Sequence, residues 1–392
     1  MCRAVASIVR VPVAEGRLLH RALWCTVKLP CTRDAWCWAM PAKGVPGLVT
    51  RSVARAAVRM ADEVVEHPIT RDQALQFYRH MVLARSLDDR IWLLARQGAI
   101  PFAVSGRGHE AAQVALAMAL RPGLDYTYPY YRDVAFTLAL GLTAEDIMLA
   151  AFARAADPSS GGRQMLNHFS RKGLRIVSGS SPVGSQIPQA AGTAWAIRLR
   201  QEDAVVMVTF GEGASSEGDF HEGLNLAGIH RLPIIFVCEN NGWAISVPER
   251  LQVAPPGVAA RGAAYGMPGV GVDGTDPLEC YRVAIDAVAR ARAGDGPTLI
   301  EARLPRLDPH TSSDDDATYR SAAERAKLAA SDPLPKWRHR LLGEFGCDAH
   351  HLAVIDEEMA GRVDAAMAMA EASPAPHPDS LLDHVSSGDE GI

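Results

Sequence analysis

A glutamate held between two glycines is the first residue pattern in this sequence that could do chemistry. Glu212 lies between Gly211 and Gly213, directly after an apolar, β-branched run that is typical of a buried strand. In parallel sheets, ligands bind beyond the carboxyl ends of the strands. The glycines let backbone amides approach a ligand, and the next helix points its positive N-terminus at the same place. This pattern suits a phosphate, which would repel the carboxylate unless a cation lay between them.

Asn241 supplies the second half of this candidate site. It ends the next apolar run, 29 residues after Glu212, which leaves room for one helix and one strand. Adjacent parallel strands would then present the two side chains next to each other. A carboxylate oxygen, an amide oxygen and a main-chain carbonyl, with two diphosphate oxygens and a water, complete an octahedral Mg²⁺ shell. Each short motif alone is more typical of a turn, but their spacing favours a metal–diphosphate site.

Hydrophobic periodicity predicts the elements that would position these residues. Three apolar strands are expected at about 204–210, 233–239 and 298–306, with helices at about 216–229 and 276–294 between them. Continuous apolar strands that alternate with helices predict an α/β fold with a doubly wound parallel sheet and helical N- and C-terminal flanks. Other expected segments are helices near 70–98 and 143–154, which Thr70 and Thr143 would cap, helices near 109–121 and 185–201, a loop at 125–133, and a helical C-terminal quarter.

Composition and charge limit the class of protein. The chain has 392 residues, of which 48% are hydrophobic and 22% charged, as in a globular protein with a sizeable core. The sequence contains no uninterrupted apolar run of about 18 residues, so no membrane span is expected. Residues 1–60 hold ten Lys/Arg and two Asp/Glu, so the rest of the chain is acidic and nucleic acid is not an expected partner.

These composition shifts predict three regions. We expect a basic extension over 1–60, an α/β domain with helical flanks over 61–372, and a tail over 373–392. The extension has the Arg-rich, acid-poor composition of an organellar transit peptide, although a disordered segment or an over-extended reading frame fits at least as well. Its cysteines are irregularly spaced and contain no C-x-x-C zinc pattern. The expected location is the bacterial cytoplasm, or the mitochondrial matrix if residues 1–60 are a cleaved transit peptide.

The stretch GEGASSEGDFHEGLNLAGIHRLPIIFVCENN, residues 211–241, resembles the thiamine-diphosphate motif. The similarity continues through GGRQMLNHFS, SGSSPVGSQIPQAAG, NNGWAISVP, ARGAAYGM, VDGTDP and HTSSDDDATYRS. This order is similar to that of the α subunits of 2-oxo acid dehydrogenases, with the branched-chain (2-oxoisovalerate) members nearest. The resemblance covers about residues 70–345.

The resemblance implies roles for individual residues. Mg²⁺ would be bound by the side chains of Glu212 and Asn241 and by the carbonyl oxygen of Trp243. Further residues would contact thiamine diphosphate: Tyr131, Arg132, Ser181, Val183, Gly211, Gly213, Ala214 and His310. A potassium ion is a weaker expectation, and its ligands would be Ser180, Pro182, Ser185 and Gln186.

His310 is the implied catalytic residue, on a loop. A near-neutral pKa would let it stabilise a developing anion or pass a proton to the acyl acceptor. The acidic run Asp314–Asp316 next to it reads as a solvated loop face, and His168 and His221 read as structural residues.

The implied reaction is oxidative decarboxylation of a 2-oxo acid, with transfer of the acyl group to a lipoyl group. The chain has no room for the second domain that thiamine enzymes need, so we expect a β subunit, an α₂β₂ heterotetramer and a lipoyl-bearing acyltransferase core. Pyruvate or acetoin dehydrogenase is the alternative within the family. A non-catalytic scaffolding subunit is the alternative of another class, and a Rossmann dehydrogenase is disfavoured because no G-x-G-x-x-G opens a first βα turn.

Overall fold

A parallel β-sheet forms the centre of the fold. The computed structural model describes residues 69–383. Within that range the strands are β1 (Tyr126–Tyr128), β2 (Val206–Gly211), β3 (Ile234–Asn240), β4 (Trp243–Ala244), β5 (Val247–Pro248), β6 (Gly269–Asp273) and β7 (Thr298–Arg303). Five of them pair in the order β1-β2-β3-β7-β6, with every pair parallel, while β4 and β5 form a short antiparallel hairpin. The α/β prediction is confirmed.

Helices cover both faces of this sheet. They are α1 (Arg71–Arg96), α2 (Glu110–Met118), α3 (Val134–Ala139), α4 (Ala144–Ala151), α5 (Gln186–Arg200), α6 (Gly218–His230), α7 (Pro277–Arg292), α8 (Ala322–Ala330), α9 (Pro333–Gly343) and α10 (Ala349–Ala372). Thr70 and Thr143 begin α1 and α4 with capping boxes, in which the threonine oxygen accepts a backbone N–H from the third helical residue. Both caps were expected from the sequence. No helix within residues 69–383 is long and apolar enough to cross a membrane.

The continuous apolar run of β2 follows from burial on both faces. Val206, Val208 and Phe210 belong to a core shared with residues of α5 and α6. The alternate residues Val205 and Met207 belong to a larger core, to which α1, α2, α7 and α10 contribute on the opposite face. Because successive side chains of a strand point to opposite faces, a strand with two covered faces needs apolar residues at every position.

The β2–α6–β3 unit brings the two predicted metal ligands to one edge of the sheet. Gly211 at the end of β2 lies opposite Glu239 near the end of β3. Glu212 and Asn241 each follow their strand by one residue, so both lie just beyond the carboxyl ends of the strands, as predicted.

Two strands of the parallel sheet, β1 and β6, were not predicted, and neither was the β4–β5 hairpin. The expected loop at 125–133 contains β1, whose three residues pair with β2. The glycine-rich segment of β6 is the edge strand beside β7. The predicted extension over 1–60 lies outside the described residues, as does the end of the predicted tail beyond 383, so those boundaries stay predictions.

Candidate active site

Glu212 is a buried carboxylate with one oxygen still unsatisfied. Only 1% of the residue is exposed, and Oε2 accepts the backbone N–H of Asn241 at 3.2 Å. Oε1 is buried and has no hydrogen-bond partner in the described part of the chain. Burial raises the pKa of the carboxyl above its ordinary value. A buried acceptor of this kind is unfavourable alone, and it suits a cation that would keep the group ionised.

The turn after β3 is fixed by the first asparagine of the pair. Asn240 Nδ2 donates to Glu249 Oε1 at 2.8 Å and to Glu301 Oε1 at 2.7 Å, and its Oδ1 accepts the N–H of Gly242 at 3.0 Å. Asn241 Oδ1 in turn accepts the N–H of Trp243 at 3.2 Å. This network fixes the turn at Asn241, whose backbone N–H contacts Glu212, so the residue lies where the sequence predicted it.

The two glycines around Glu212 differ in how closely they are packed. A Cβ on Gly213 would lie 2.9 Å from Cβ of Ala244 in the β4–β5 hairpin, which is too close for a side chain. A Cβ on Gly211 would meet its nearest atom, on Tyr130, at 4.0 Å, an ordinary contact. Packing therefore requires glycine at 213 but not at 211. The sequence suggested one reason for both glycines, the close approach of backbone amides to a ligand.

Arg132 and His310 form a hydrogen-bonded pair in the cavity wall. The fully buried guanidinium donates through Nη2 to His310 Nδ1 at 2.8 Å and to the His310 carbonyl at 3.1 Å, and through Nη1 to the Ser105 carbonyl at 2.8 Å. Arginine has only donors, so Nδ1 is the acceptor and the ring proton of neutral His310 is on Nε2.

The pKa of His310 is not near neutral, contrary to the prediction. Burial lowers it from 6.5 to about 4, and the positive charges of Arg132 and Arg306 act in the same direction. A neutral imidazole that presents Nε2–H is therefore the form present at physiological pH. It can donate a hydrogen bond to a developing anion without a net charge of its own.

The loop that carries His310 is tied down by its own charged residues. Asp314 accepts the backbone N–H of His310 at 2.7 Å and the hydroxyl of Tyr319, which also accepts Arg306 Nη2 at 2.9 Å. Arg320 donates to the Arg306 carbonyl at 3.1 Å. The reading of the acidic run as a solvated loop face is wrong for Asp314. It is also wrong for Asp316, which is buried and pairs with Arg320 at 3.4 Å.

These residues surround a cavity of about 310 Å³. Thirteen of the predicted site residues line it: Tyr131, Arg132, Ser180, Ser181, Val183, Gln186, Gly211, Glu212, Gly213, Ala214, Asn241, Trp243 and His310. The remaining two, Pro182 and Ser185, are not part of the lining, and the Ser185 hydroxyl donates to the Pro182 carbonyl at 2.9 Å. The structure thus brings most of the predicted residues together around one cavity. Which of them would contact the cofactor, Mg²⁺ or K⁺ stays a prediction.

Ser181 has a partner that the sequence did not indicate. His168 Nδ1 faces the Met165 carbonyl at 3.0 Å and must be the donor there. Nε2 is then an acceptor, and it receives the Ser181 hydroxyl at 2.7 Å. His168 therefore orients a cavity side chain. His221, by contrast, bonds the Tyr265 hydroxyl at the surface.

The β4–β5 hairpin places strained backbone at the cavity. Its two-residue loop begins at Ile245, whose φ of 55° lies in the left-handed region that a β-branched residue rarely adopts. The Ile245 carbonyl accepts Arg306 Nη2 at 2.9 Å, which helps to hold this conformation. The hairpin closes one side of the cavity with Trp243, Ala244 and Ile245.

A buried polar network lies behind the cavity and was missed by sequence reasoning. Glu239 Oε2 interacts with His109 Nδ1 at 2.8 Å, Gln113 Nε2 at 2.9 Å and the Tyr130 hydroxyl at 3.2 Å. Asp133 accepts the Tyr130 N–H at 2.9 Å, and burial together with the charge of Glu239 holds its pKa well above the ordinary range. The sequence signal that could have indicated this network is Glu239 itself, a glutamate near the end of an otherwise apolar strand.

Comparison with known proteins identifies the family. A family model described as the dehydrogenase E1 component matches residues 78–379. The chain is 51% identical over 319 residues to the 2-oxoisovalerate dehydrogenase subunit alpha of Bacillus subtilis (strain 168), covering 81% of this chain and 96% of that one. It is 36% identical over 318 residues to the mitochondrial 2-oxoisovalerate dehydrogenase subunit alpha of Homo sapiens, covering 81% and 71%. It is also 34% identical over 331 residues to the chloroplastic pyruvate dehydrogenase E1 component subunit alpha-3 of Arabidopsis thaliana, covering 83% and 77%. This chain belongs to the dehydrogenase E1 component family.

Proposed function

We propose that this chain is the α subunit of a branched-chain 2-oxo acid dehydrogenase that acts on 3-methyl-2-oxobutanoate and transfers the acyl group to a lipoyl group. The observation that carries the proposal is a single cavity that unites Glu212, Asn241, Arg132 and His310. The substrate class rests on the similarity to 2-oxoisovalerate dehydrogenase α subunits, one of which matches over 96% of its own length.

The cavity fits thiamine diphosphate, the cofactor on which this family depends. The unsatisfied Oε1 of Glu212 is an acceptor for a cation, and the nearby guanidinium of Arg132 suits an anion. Thiamine diphosphate supplies an electron sink for loss of CO₂ from a 2-oxo acid. The residues present therefore match the charge pattern of a diphosphate with its metal.

Mg²⁺ is part of the proposal, with Glu212, Asn241 and the Trp243 carbonyl as its protein ligands. Among residues 69–383 no group of three or more His, Cys, Asp or Glu side chains could hold a metal, so the site would combine one carboxylate with amide and carbonyl oxygens. Such hard oxygen donors, completed by phosphate oxygens, suit Mg²⁺. The Trp243 carbonyl also accepts Arg306 Nη1 at 3.4 Å. A K⁺ site at Ser180, Pro182, Ser185 and Gln186 is a secondary part of the proposal.

His310 and Arg132 would act on the substrate side of the reaction. Arg132 holds the ring of His310 through Nδ1, and Nε2–H, which makes no hydrogen bond within the described residues, could donate to oxygen atoms that become negative. The apolar side chains of Val183, Phe210 and Ile245 line the same cavity and would exclude water from it.

The mouth of the cavity supports the need for a second chain. Val183 and Ile245 are more than half exposed although both are apolar cavity residues, and Leu251, which precedes the cavity residue Gln252 in the chain, is 66% exposed. Exposed apolar residues around a binding site are typical of an interface. We propose that a β subunit covers this rim in an α₂β₂ heterotetramer that docks on a lipoyl-bearing acyltransferase core. The bacterial cytoplasm stays the predicted location.

The test is 2-oxo-acid-dependent dye reduction with thiamine diphosphate and Mg²⁺, by this chain alone and co-purified with its β subunit. We expect turnover only in the complex, with 3-methyl-2-oxobutanoate and 4-methyl-2-oxopentanoate preferred over pyruvate. A preference for pyruvate would keep the chemistry and overturn the substrate assignment. Full activity of the chain alone would overturn the two-subunit site.

The matched control is Glu212→Gln in the same complex. It keeps the size of the side chain and removes the charge that would hold Mg²⁺, so cofactor-dependent turnover should fall by about 100-fold or more. A complex that binds neither cofactor nor substrate, with or without this substitution, would favour the scaffolding alternative.

A further inference from the structure

Gln252 lines the cavity and was not among the residues that the sequence suggested. It follows the 3₁₀ turn Glu249–Leu251 after the β4–β5 hairpin. Its backbone is fixed on both sides, because its N–H donates to the Glu249 carbonyl at 3.0 Å and its carbonyl accepts the Ser216 hydroxyl at 3.2 Å. The side chain therefore extends from an anchored backbone into the cavity wall.

The amide nitrogen of Gln252 is a buried donor that has no hydrogen-bond partner among residues 69–383. Among the described residues that line the cavity, two side-chain polar atoms are buried and unpaired: Glu212 Oε1 and Gln252 Nε2. One is an acceptor and the other a donor. A buried polar atom is unfavourable unless a ligand pairs with it, so the two atoms point to a ligand that contributes both a cation and an anionic oxygen.

The position of Nε2 indicates which part of the ligand it meets. It lies 3.9 Å from the point where a Cβ of Gly213 would be. The backbone there begins a 3₁₀ turn, Glu212–Ser216, that leads into α6, so the positive end of the helix lies at this side of the cavity. An amide N–H donor beside the positive end of a helix is suited to bind a phosphate oxygen.

We propose that Gln252 binds the diphosphate of the cofactor, with Nε2 donating to a phosphate oxygen beside Gly213 while Glu212 Oε1 faces the cation. The proposal rests on the proposed function above, and it adds a binding residue from the segment after the hairpin.

The test compares cofactor affinity and folding stability in two variants of the α–β complex. Thiamine diphosphate is titrated at fixed MgCl₂ by calorimetry, and inorganic diphosphate is used as a competitor. Gln252→Leu removes the donor and should weaken binding about tenfold, whereas Gln252→Glu adds a charge that repels phosphate and should weaken it about 100-fold. Both ligands should lose affinity by similar factors.

Stability without cofactor separates this role from a structural one. Because Gln252→Leu removes an unpaired buried donor, the thermal midpoint of the cofactor-free complex should stay the same or rise. A residue that only supports the fold would show a lower midpoint instead. Gln201→Glu makes the same charge change on an exposed residue after α5 and should leave both affinities unchanged.

Three results would overturn the proposal. The first is a Gln252→Glu complex that binds thiamine diphosphate as tightly as the wild type, and the second is equal affinity of all variants for inorganic diphosphate. In both cases, binding of thiamine diphosphate by the wild-type complex would still support the proposed function. If the wild-type complex itself bound no thiamine diphosphate, the proposed function would fail as well.

Discussion

The protonation states in the cavity follow from burial and from nearby guanidinium groups. Arg132, Arg306 and Arg320 are all fully buried. Burial, together with the charges of the other two arginines, lowers the pKa of Arg306 to about 10. Positive charge in and behind the cavity wall attracts an anion, and the charges of Arg132 and Arg306 help to keep His310 neutral. The sequence shows each arginine, but it does not show that the fold collects them around one histidine.

The pH dependence of turnover should show that His310 is neutral over the physiological pH range. With a pKa of about 4 for His310, kcat/KM of the complex should show no acid limb near pH 6.5 that depends on this residue. Neutral His310 is the active form, so protonation should reduce activity only as the pH falls towards 4. His310→Gln should lower kcat about 100-fold and leave the profile between pH 5.5 and 8 unchanged in shape. An acid limb near 6.5 that disappears in this variant would contradict the assignment.

Gly213 and Gly211 offer a matched pair of substitutions. Gly213→Ala should destabilise the cofactor-free chain by about 1–3 kcal/mol, because the new methyl group would overlap Ala244 and push the hairpin away. Gly211→Ala should change the free energy of unfolding by less than about 1 kcal/mol, since its φ of −79° is ordinary and its surroundings are open. Urea unfolding of both variants measures the difference. Equal losses would show that the hairpin adapts without cost.

At the scale of elements, sequence patterns predicted the parts of the fold whose signal is local. β2, β3 and β7 are buried on both faces and read as apolar runs, and the Thr70 and Thr143 caps lie next to the helices that they begin. The three residues of β1 are defined by pairing with β2 rather than by their own pattern.

β6 was missed for a similar reason. It contains two glycines and is mostly exposed at the sheet edge, so it lacks the apolar signal of an inner strand. The spacing of Glu212 and Asn241 could be predicted because one βαβ unit separates them. Gln252, Arg306 and Arg320 could not, because their roles depend on contacts between distant segments.

The segment from Arg306 to Arg320 behaves as one element whose centre is Asp314. Its carboxylate accepts both the His310 N–H and the Tyr319 hydroxyl, and these hydrogen bonds hold its pKa below the ordinary value despite burial. Asp314→Ala should therefore loosen the segment, lower kcat/KM at least tenfold and expose Arg306 and Arg320 to trypsin. Limited proteolysis of the full chain checks this directly.

Asp315→Ala is the control for that experiment. Asp315 is exposed, and its carboxylate accepts only the nearby Ala317 N–H, at 3.0 Å, among the contacts in the described range. Trypsin should cleave the Asp315→Ala variant at the wild-type rate. If both variants were cleaved equally, Asp314 would have no special role in holding the segment.

At the scale of the whole molecule, the cavity opens on a rim of exposed apolar residues. Leu251 immediately precedes the cavity residue Gln252 in the chain, and it is 66% exposed. Burying such a leucine against a partner contributes about 2 kcal/mol, and a carboxylate in its place would also have to be desolvated. Leu251→Glu should therefore weaken association with the β subunit about 30-fold or more, without a change in the stability of the isolated chain.

Val354→Glu tests whether this effect belongs to the rim. Val354 is 46% exposed on α10, a helix that contributes no residue to the cavity lining, so the variant introduces the same charge at an exposed apolar position in a different segment. Sedimentation of each variant with the β subunit measures the association, and circular dichroism verifies the fold. Weaker association for Leu251→Glu alone would place the β subunit over the cavity mouth, where it could complete the site that this chain provides only in part. Equal affinities for both variants and the wild type would place the partner elsewhere and remove the physical argument for a site shared between two chains.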